Sequence, residues 1–191
     1  MENFSTILKG CISKNPKYQK EVYERYKGFA LKIAFRYIYR YDGAINVVND
    51  AFVKLFKNLK GDFFTNHEFD DEKILLGWFK KIIVNTAIDV LRKNSMIREI
   101  GGISDSDWDI KDTSENAEQL LLYKDLITLI KELPPMYRIV FNLYVIEGYT
   151  HIEIGSLVNI SVGTSKSNLS RARALLISSL RKIEETQACS I

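Results

Sequence analysis

The sequence predicts an all-α chain of two small helical domains joined by an acidic linker, and three observations carry that prediction. Apolar residues recur at the 3.6-residue helical period toward both ends of the chain, and no stretch reads as a strand. Glycine and proline are sparse, ten and three among 191 residues, so little interrupts those stretches. Between them, residues 95–114 lose the period and turn acidic.

The first domain is expected over residues 13–94. Val22, Tyr26, Phe29, Ile33 and Tyr37 form one stripe, flanked by Tyr23, Ala30, Ala34 and Ile38, which predicts a helix from Tyr18 to about Arg40. Asp42-Gly43 reads as its break. A second stripe, Val48, Phe52, Leu55 and Leu59, stops at Gly61, and the polar run FFTNHEFDDE reads as a loop. A third helix is expected from Lys73 to Lys93, with Leu75, Phe79, Ile82, Ile83, Ala87, Val90 and Leu91 inward. Three such helices can close a bundle.

GGISDSDWDIKDTS, with two glycines, many acids and the isolated Trp108, reads as the linker. The second domain is expected over residues 115–185. Helical pattern resumes at Glu115 (Ala117, Leu120, Leu121, Ile127, Ile130) and stops at Leu133-Pro134-Pro135. Pro135 suits the first turn of the next helix, which runs through Ile139, Val140, Leu143 and Tyr144 to Gly148.

Two short helices follow. Thr150 is placed to cap the first, with Glu153 completing a capping box, and Ile152, Ile154, Leu157 and Val158 supply its contacts. Asn159 suits the left-handed residue that ends it, and Ile160 plugs the corner. Ser161 then caps a helix whose Val162, Leu169, Ala172 and Leu176 face inward. Its exposed side is expected to carry Thr164, Ser165, Lys166, Ser167, Asn168, Ser170, Arg171 and Arg173. The pair is a helix-turn-helix with the reading helix second.

The net charge of +3 is small, but its distribution is uneven. From Gly155 to Ile183 there is no Asp or Glu, while Lys166, Arg171, Arg173, Arg181 and Lys182 are basic. From Gly101 to Asp125 the balance reverses. An acid-free basic segment points to a polyanion partner. Short polar side chains early in such a helix reach base edges, and the cations beyond them meet phosphates. Four or five phosphate contacts would give a log–log salt slope of about −4 to −5. The bland alternative is the solvated face of an ordinary helical hairpin. The acid-free span, the turn spacing and the caps on both helices favour DNA.

Other classes are disfavoured. No run approaches the ~20 apolar residues of a membrane span, and MENFSTILKGC is unlike a signal peptide. Cys11 and Cys189 lack metal-ligand spacing and read as reduced thiols of a cytosolic protein. Only His67 and His151 occur, with no glycine-rich phosphate loop and no nucleophile–base constellation, so neither an enzyme nor a cofactor is expected.

The stretch ELPPMYRIVFNLYVIEGYTHIEIGSLVNISVGTSKSNLSRARALL resembles region four of bacterial RNA polymerase sigma factors of the extracytoplasmic-function, or group-four, class. YERYKGFALKIAFRY, NVVNDAFVKLF and GWFKKIIVNTAIDVLRKN resemble region two, so the likeness runs from about Ser13 to Lys182. It implies that Thr164, Lys166, Ser167, Ser170, Arg171 and Arg173 read the −35 promoter element. It implies also that the second helix binds core polymerase around Val48, Asn49, Asp50, Phe52 and Val53. The third helix, with Trp78, Lys80, Lys81, Asn85, Asp89, Arg92 and Lys93, would hold the melted −10 strand, helped by the loop of Phe63, Phe64 and Phe69. Trp78 is open to a core role, Asn85 and Asp89 to internal pairing, and Arg92 and Lys93 to closing a helix C-terminus. The linker either enters a basic channel of the polymerase or is a solvated tether.

The sequence departs from the family's pattern at Ile45, Asn46 and Asn49, where acids and a glutamine are usual. Gly155 stands for alanine, Asn159 for glycine, and Ser165 for an apolar residue. The resemblance implies as partners core polymerase, promoter DNA and an anti-sigma factor, for a chain monomeric when free. An autonomous helix-turn-helix regulator is the rival reading. It would bind a two-fold site as a dimer, but the N-terminal half shows no obvious dimer helix.

Overall fold

The structure, a computed structural model, describes residues 3–59, 71–93 and 126–188 and divides into two units, Met1–Lys93 and Asn94–Ile191. The linker with Trp108, the loop of Phe63, Phe64 and Phe69, His67, the start of the second domain from Glu115 to Leu121, and Cys189 lie outside the described residues.

The first unit holds four helices: α1 (Phe4–Ile12), α2 (Pro16–Ala34), α3 (Tyr41–Asn58) and α4 (Asp71–Lys93). The sequence reading does not anticipate α1. Asn3 caps it by accepting from the Ser5 N–H, and Ile7, Leu8 and Cys11 are buried. Gly10 lies against the Tyr18 ring so closely that a Cβ would overlap it, which draws α1 onto α2.

The second helix ends at Ala34, six residues before the expected Arg40. Hydrogen bonds from the Arg36 N–H to the Ile33 carbonyl and from the Tyr37 N–H to that of Ala34 tighten the chain into a turn that still buries Phe35 and Tyr37. The apolar period therefore runs on after the helix has stopped. Asp42 and Gly43, expected as a break, instead open α3. Asp42 suits the positive end of the helix. At Gly43 a Cβ would come within 2.7 Å of Ile38 Cγ2, so glycine permits that approach.

Phe52 sits at the centre of the bundle, its ring 4.8 Å from Tyr23 and 4.6 Å from Phe79, joining α2, α3 and α4. Each such ring pair adds about 0.5–1.5 kcal/mol beyond the area buried. On α4, Leu75, Phe79, Ile83, Ala87 and Leu91 are buried as expected. Ile82 and Val90 are only half-buried, while Val84 and Ile88 are fully enclosed, because α4 packs against three helices and buries a face wider than one stripe.

The second unit begins, within the described residues, with a helical stretch, α5, at 126–132. Next come α6 (Pro135–Phe141), a π-helical turn (Asn142–Ile146), α7 (His151–Val158) and α8 (Val162–Ala188). Pro135 occupies the first turn of α6, as its fixed φ favours. Buried Arg138 donates from Nη1 to the Lys131 carbonyl at 2.5 Å, so its charge meets the C-terminal end of α5. Leu129, Ile130, Leu133, Ala172 and Leu176 make the core that seats α8.

No strand occurs among the described residues, and both units are helical. No described helix is long and apolar enough to cross a membrane.

Candidate nucleic-acid interface

Local signals build the α7–α8 corner. Thr150 accepts from the Glu153 N–H, and the Glu153 carboxylate accepts from the Thr150 N–H at 2.8 Å, completing the capping box. Asn159 takes the left-handed conformation, φ 56° and ψ 53°, and the Ile160 N–H bonds back to the Gly155 carbonyl. Ser161 Oγ accepts from the Thr164 N–H at 3.0 Å, capping α8.

Gly155 has a structural cause. A Cβ there would lie 2.8 Å from the Ile160 carbonyl oxygen, inside contact distance, so the chain folds over the α7 backbone where a side chain would stand.

Six residues of α8 expected to read DNA are exposed and fall into two outward rows. Thr164, Ser167 and Arg171 follow one another at spacings of three and four, and Lys166, Ser170 and Arg173 at four and three. Ser165, Asn168, Leu169, Ala172 and Leu176 form the buried side. Ser165 and Asn168, expected on the exposed face, are thus corrected: helical phase places them with Leu169 and Ala172 despite their polarity. Val162 and Ile152, expected inward, are exposed, Ile152 at 70%. Each occupies an early position of its helix, facing away from the packed side.

Buried Ser165 has a partner, His151 Nδ1, 2.9 Å from its Oγ. The His151 ring stacks on Tyr144, centroids 4.4 Å apart, and the Arg173 guanidinium lies 6.0 Å from the Tyr144 ring centre. On the other row, Arg171 Nη1 donates to Tyr137 Oη at 3.2 Å. Sequence reasoning missed both tyrosines. Tyr144 falls within an apolar run and reads as core, and no sequence signal marks Tyr137.

In the first unit, Trp78, Lys81, Asn85, Asp89 and Arg92 follow one another on α4 at spacings of three and four and share one outward side. Lys81, Asn85 and Arg92 are exposed; Trp78 and Asp89 are half-buried. Lys93 is exposed beside this row, and half-buried Lys80 lies off it. Asp89 pairs with Lys54 of α3 at 3.7 Å and Arg92 at 4.0 Å, which are the internal pairs it makes here. Lys54 also donates to Thr86 Oγ1 at 2.9 Å, and Thr86 donates to the Ile82 carbonyl, a partner set sequence reading did not single out.

The expected polymerase patch on α3 divides by burial. Asn49, Asp50 and Val53 are exposed, Val53 at 62%, while Val48 and Phe52 belong to the core beneath them. The Tyr23 hydroxyl donates to Asn49 Oδ1 at 3.0 Å, fixing that side chain on the surface. No cluster of metal-ligating side chains occurs among the described residues.

Comparison with known proteins follows the same division. Residues 22–96 match the family model of Sigma-70 region 2, and residues 123–176 that of Sigma-70, region 4. The RNA polymerase sigma factor SigV of Bacillus subtilis (strain 168) is 28% identical over 151 residues, 79% of this chain and 84% of that protein. The ECF RNA polymerase sigma factor SigW of the same organism is 25% identical over 173 residues, 85% of this chain and 89% of that protein. The ECF RNA polymerase sigma factor SigE of Mycolicibacterium smegmatis is 28% identical over 156 residues, 78% of this chain and 57% of that protein. With two regions of one family matched in order over more than half of its residues, the chain belongs to the sigma-70 family, in the extracytoplasmic-function class, whose members are non-catalytic initiation factors that give RNA polymerase its promoters.

Proposed function

We propose that the chain joins core RNA polymerase through α3, reads the −35 element with α8 and holds the melted −10 strand along α4. The observation that carries this reading is the outward face of α8. Two rows of hydroxyls and cations stand exposed on a helix whose opposite side is buried and whose corner is capped at every step. Hydroxyls near the start of the helix suit base edges, and Lys166, Arg171 and Arg173 suit flanking phosphates. On α4, Trp78 offers a ring for stacking, and Lys81, Arg92 and Lys93 offer charge for the backbone of the separated strand. The exposed residues Asn49, Asp50 and Val53 of α3 are the polymerase contacts, and Val48 and Phe52 support them from the core.

Residues 13–94 and 115–185 are the working domains, with 95–114 as their tether. The protein acts in the cytoplasm as a monomer until it meets polymerase, and an anti-sigma factor restrains it. A double substitution tests the division of labour. Lys166→Ala with Arg171→Ala is expected to lower promoter-dependent initiation while core polymerase binding holds. Loss of core binding in that variant would overturn the assignment.

A further inference from the structure

The arginines that end the two rows of α8 do not stand alone in solvent. Arg171 donates to the Tyr137 hydroxyl, and Arg173 lies over the Tyr144 ring. Tyr137 belongs to α6 and Tyr144 to the π-helical turn that continues it, so one element presents both anchors. Behind Tyr144 stands His151, stacked on it at an interplanar angle of 21° and tied to buried Ser165 on the inner side of α8. The chain of contacts starts at α8, passes through α7 and the π-helical turn, and returns to α8.

Resting on the −35 reading, we propose that Tyr137 and Tyr144 are positioning residues that hold Arg171 and Arg173 extended at the edges of the reading face before DNA arrives, with His151 bracing Tyr144. An arginine side chain loses much rotamer freedom when it docks. Partial immobilisation in the free protein reduces the loss left for binding. Neutral anchors suit this role: a hydroxyl or a ring face holds a guanidinium without cancelling its charge, so the attraction to phosphate survives. The two anchors work by different chemistry, which separates them experimentally. Tyr137 acts through its oxygen and Tyr144 through its ring.

The test is a pair of double-mutant cycles on the holoenzyme, reading affinity for a duplex that spans its strongest mapped promoter. Tyr137→Phe is expected to weaken binding about two- to five-fold in the parent and to have no effect beside Arg171→Ala. Tyr144→Leu is expected to do the same in the parent and to have no effect beside Arg173→Ala, whereas Tyr144→Phe, which keeps the ring, restores parental affinity. The crossed pairs, Tyr137→Phe with Arg173→Ala and Tyr144→Leu with Arg171→Ala, add independently. Equal losses in parent and arginine-free backgrounds would mean that the tyrosines serve only the fold, and would overturn the inference. The arginine variants alone decide the underlying reading. Each should flatten the log–log salt slope by roughly 0.9, and if neither does, the −35 assignment fails and the positioning role with it.

Discussion

Arg171 and Arg173 on α8 rest against neutral tyrosines, whereas Arg92 on α4 and Lys54 on α3 share the carboxylate of Asp89. The same residue type is therefore presented in two electrostatic conditions. On the function proposed, the α8 guanidinium charge stands undiminished for an arriving phosphate, whereas on α4 a strand would have to compete with Asp89 for Arg92. That contrast fits the two tasks proposed: a closed duplex is met as it is found, while a separated strand becomes available only after melting. The scaffolds beneath differ too. The α7–α8 corner is closed tightly around Gly155, while the exposed parts of α2 and α4 leave open space at Gly28 and Gly77.

The largest effect expected in breaking this comparison comes from the corner. Gly155→Ala gains helix propensity worth about 1 kcal/mol but forces a methyl group against the Ile160 carbonyl. The net result should be a loss of about 1–3 kcal/mol, read as a lower urea midpoint for the second unit. The same substitution at Gly28, within α2 and with open space where the methyl group would stand, should run the other way. Gly28→Ala is expected to stabilise the first unit by about 0.5–1 kcal/mol. If Gly155→Ala stabilised the second unit as Gly28→Ala stabilises the first, the corner would not be the tightly closed element described.

Asp89→Asn sharpens the electrostatic side. Removing the carboxylate takes its charge away from Arg92 and from Lys54, which keeps its bond to Thr86, and since exposed pairs are worth about 0.2–1 kcal/mol, holoenzyme affinity for a pre-melted promoter should rise by up to about five-fold. Affinity for a fragment carrying only the upstream element should stay unchanged. A fall with the pre-melted template would mean that Asp89 itself touches the strand.

A separate effect, confined to alkaline pH, concerns Cys11, whose thiol burial, with Glu21 adding, pushes from 9.0 up to about 11. The folded thiol keeps its proton in a range where the unfolded thiol has lost it. Its contribution to stability is therefore full below about pH 9 and is lost as pH rises toward 11. The fall in unfolding free energy over that window should be shallower in Cys11→Ala than in the parent, and identical slopes would exclude this cause.

Much of the second unit was legible because its signals are local. Thr150 with Glu153, Asn159, Ser161 and Pro135 each act within one turn of themselves, and each does in the structure what its residue type favours. The first unit was harder where tertiary contact decides. The nine residues of α1 are too few for a helix to persist by itself, and Gly10 seats it against Tyr18, a contact no spacing reveals. The end of α2 was overrun because Phe35 and Tyr37 stay buried through the turn. Within α8, residue type misled and phase did not. Ser165 and Asn168 look exposed by polarity, but share the side of Leu169 and Ala172. The tyrosine anchors were beyond reach, since Arg171 and Tyr137 meet across 34 positions of the chain.

In vitro transcription decides whether the chain directs polymerase to promoters: the purified chain with core polymerase from its own host, on sheared genomic DNA, with transcript starts mapped. A sigma factor working through both faces yields new starts that share a pair of upstream motifs and vanish when the chain is left out. No new starts, together with tight DNA binding by the chain without polymerase, would contradict it and favour an autonomous helix-turn-helix regulator.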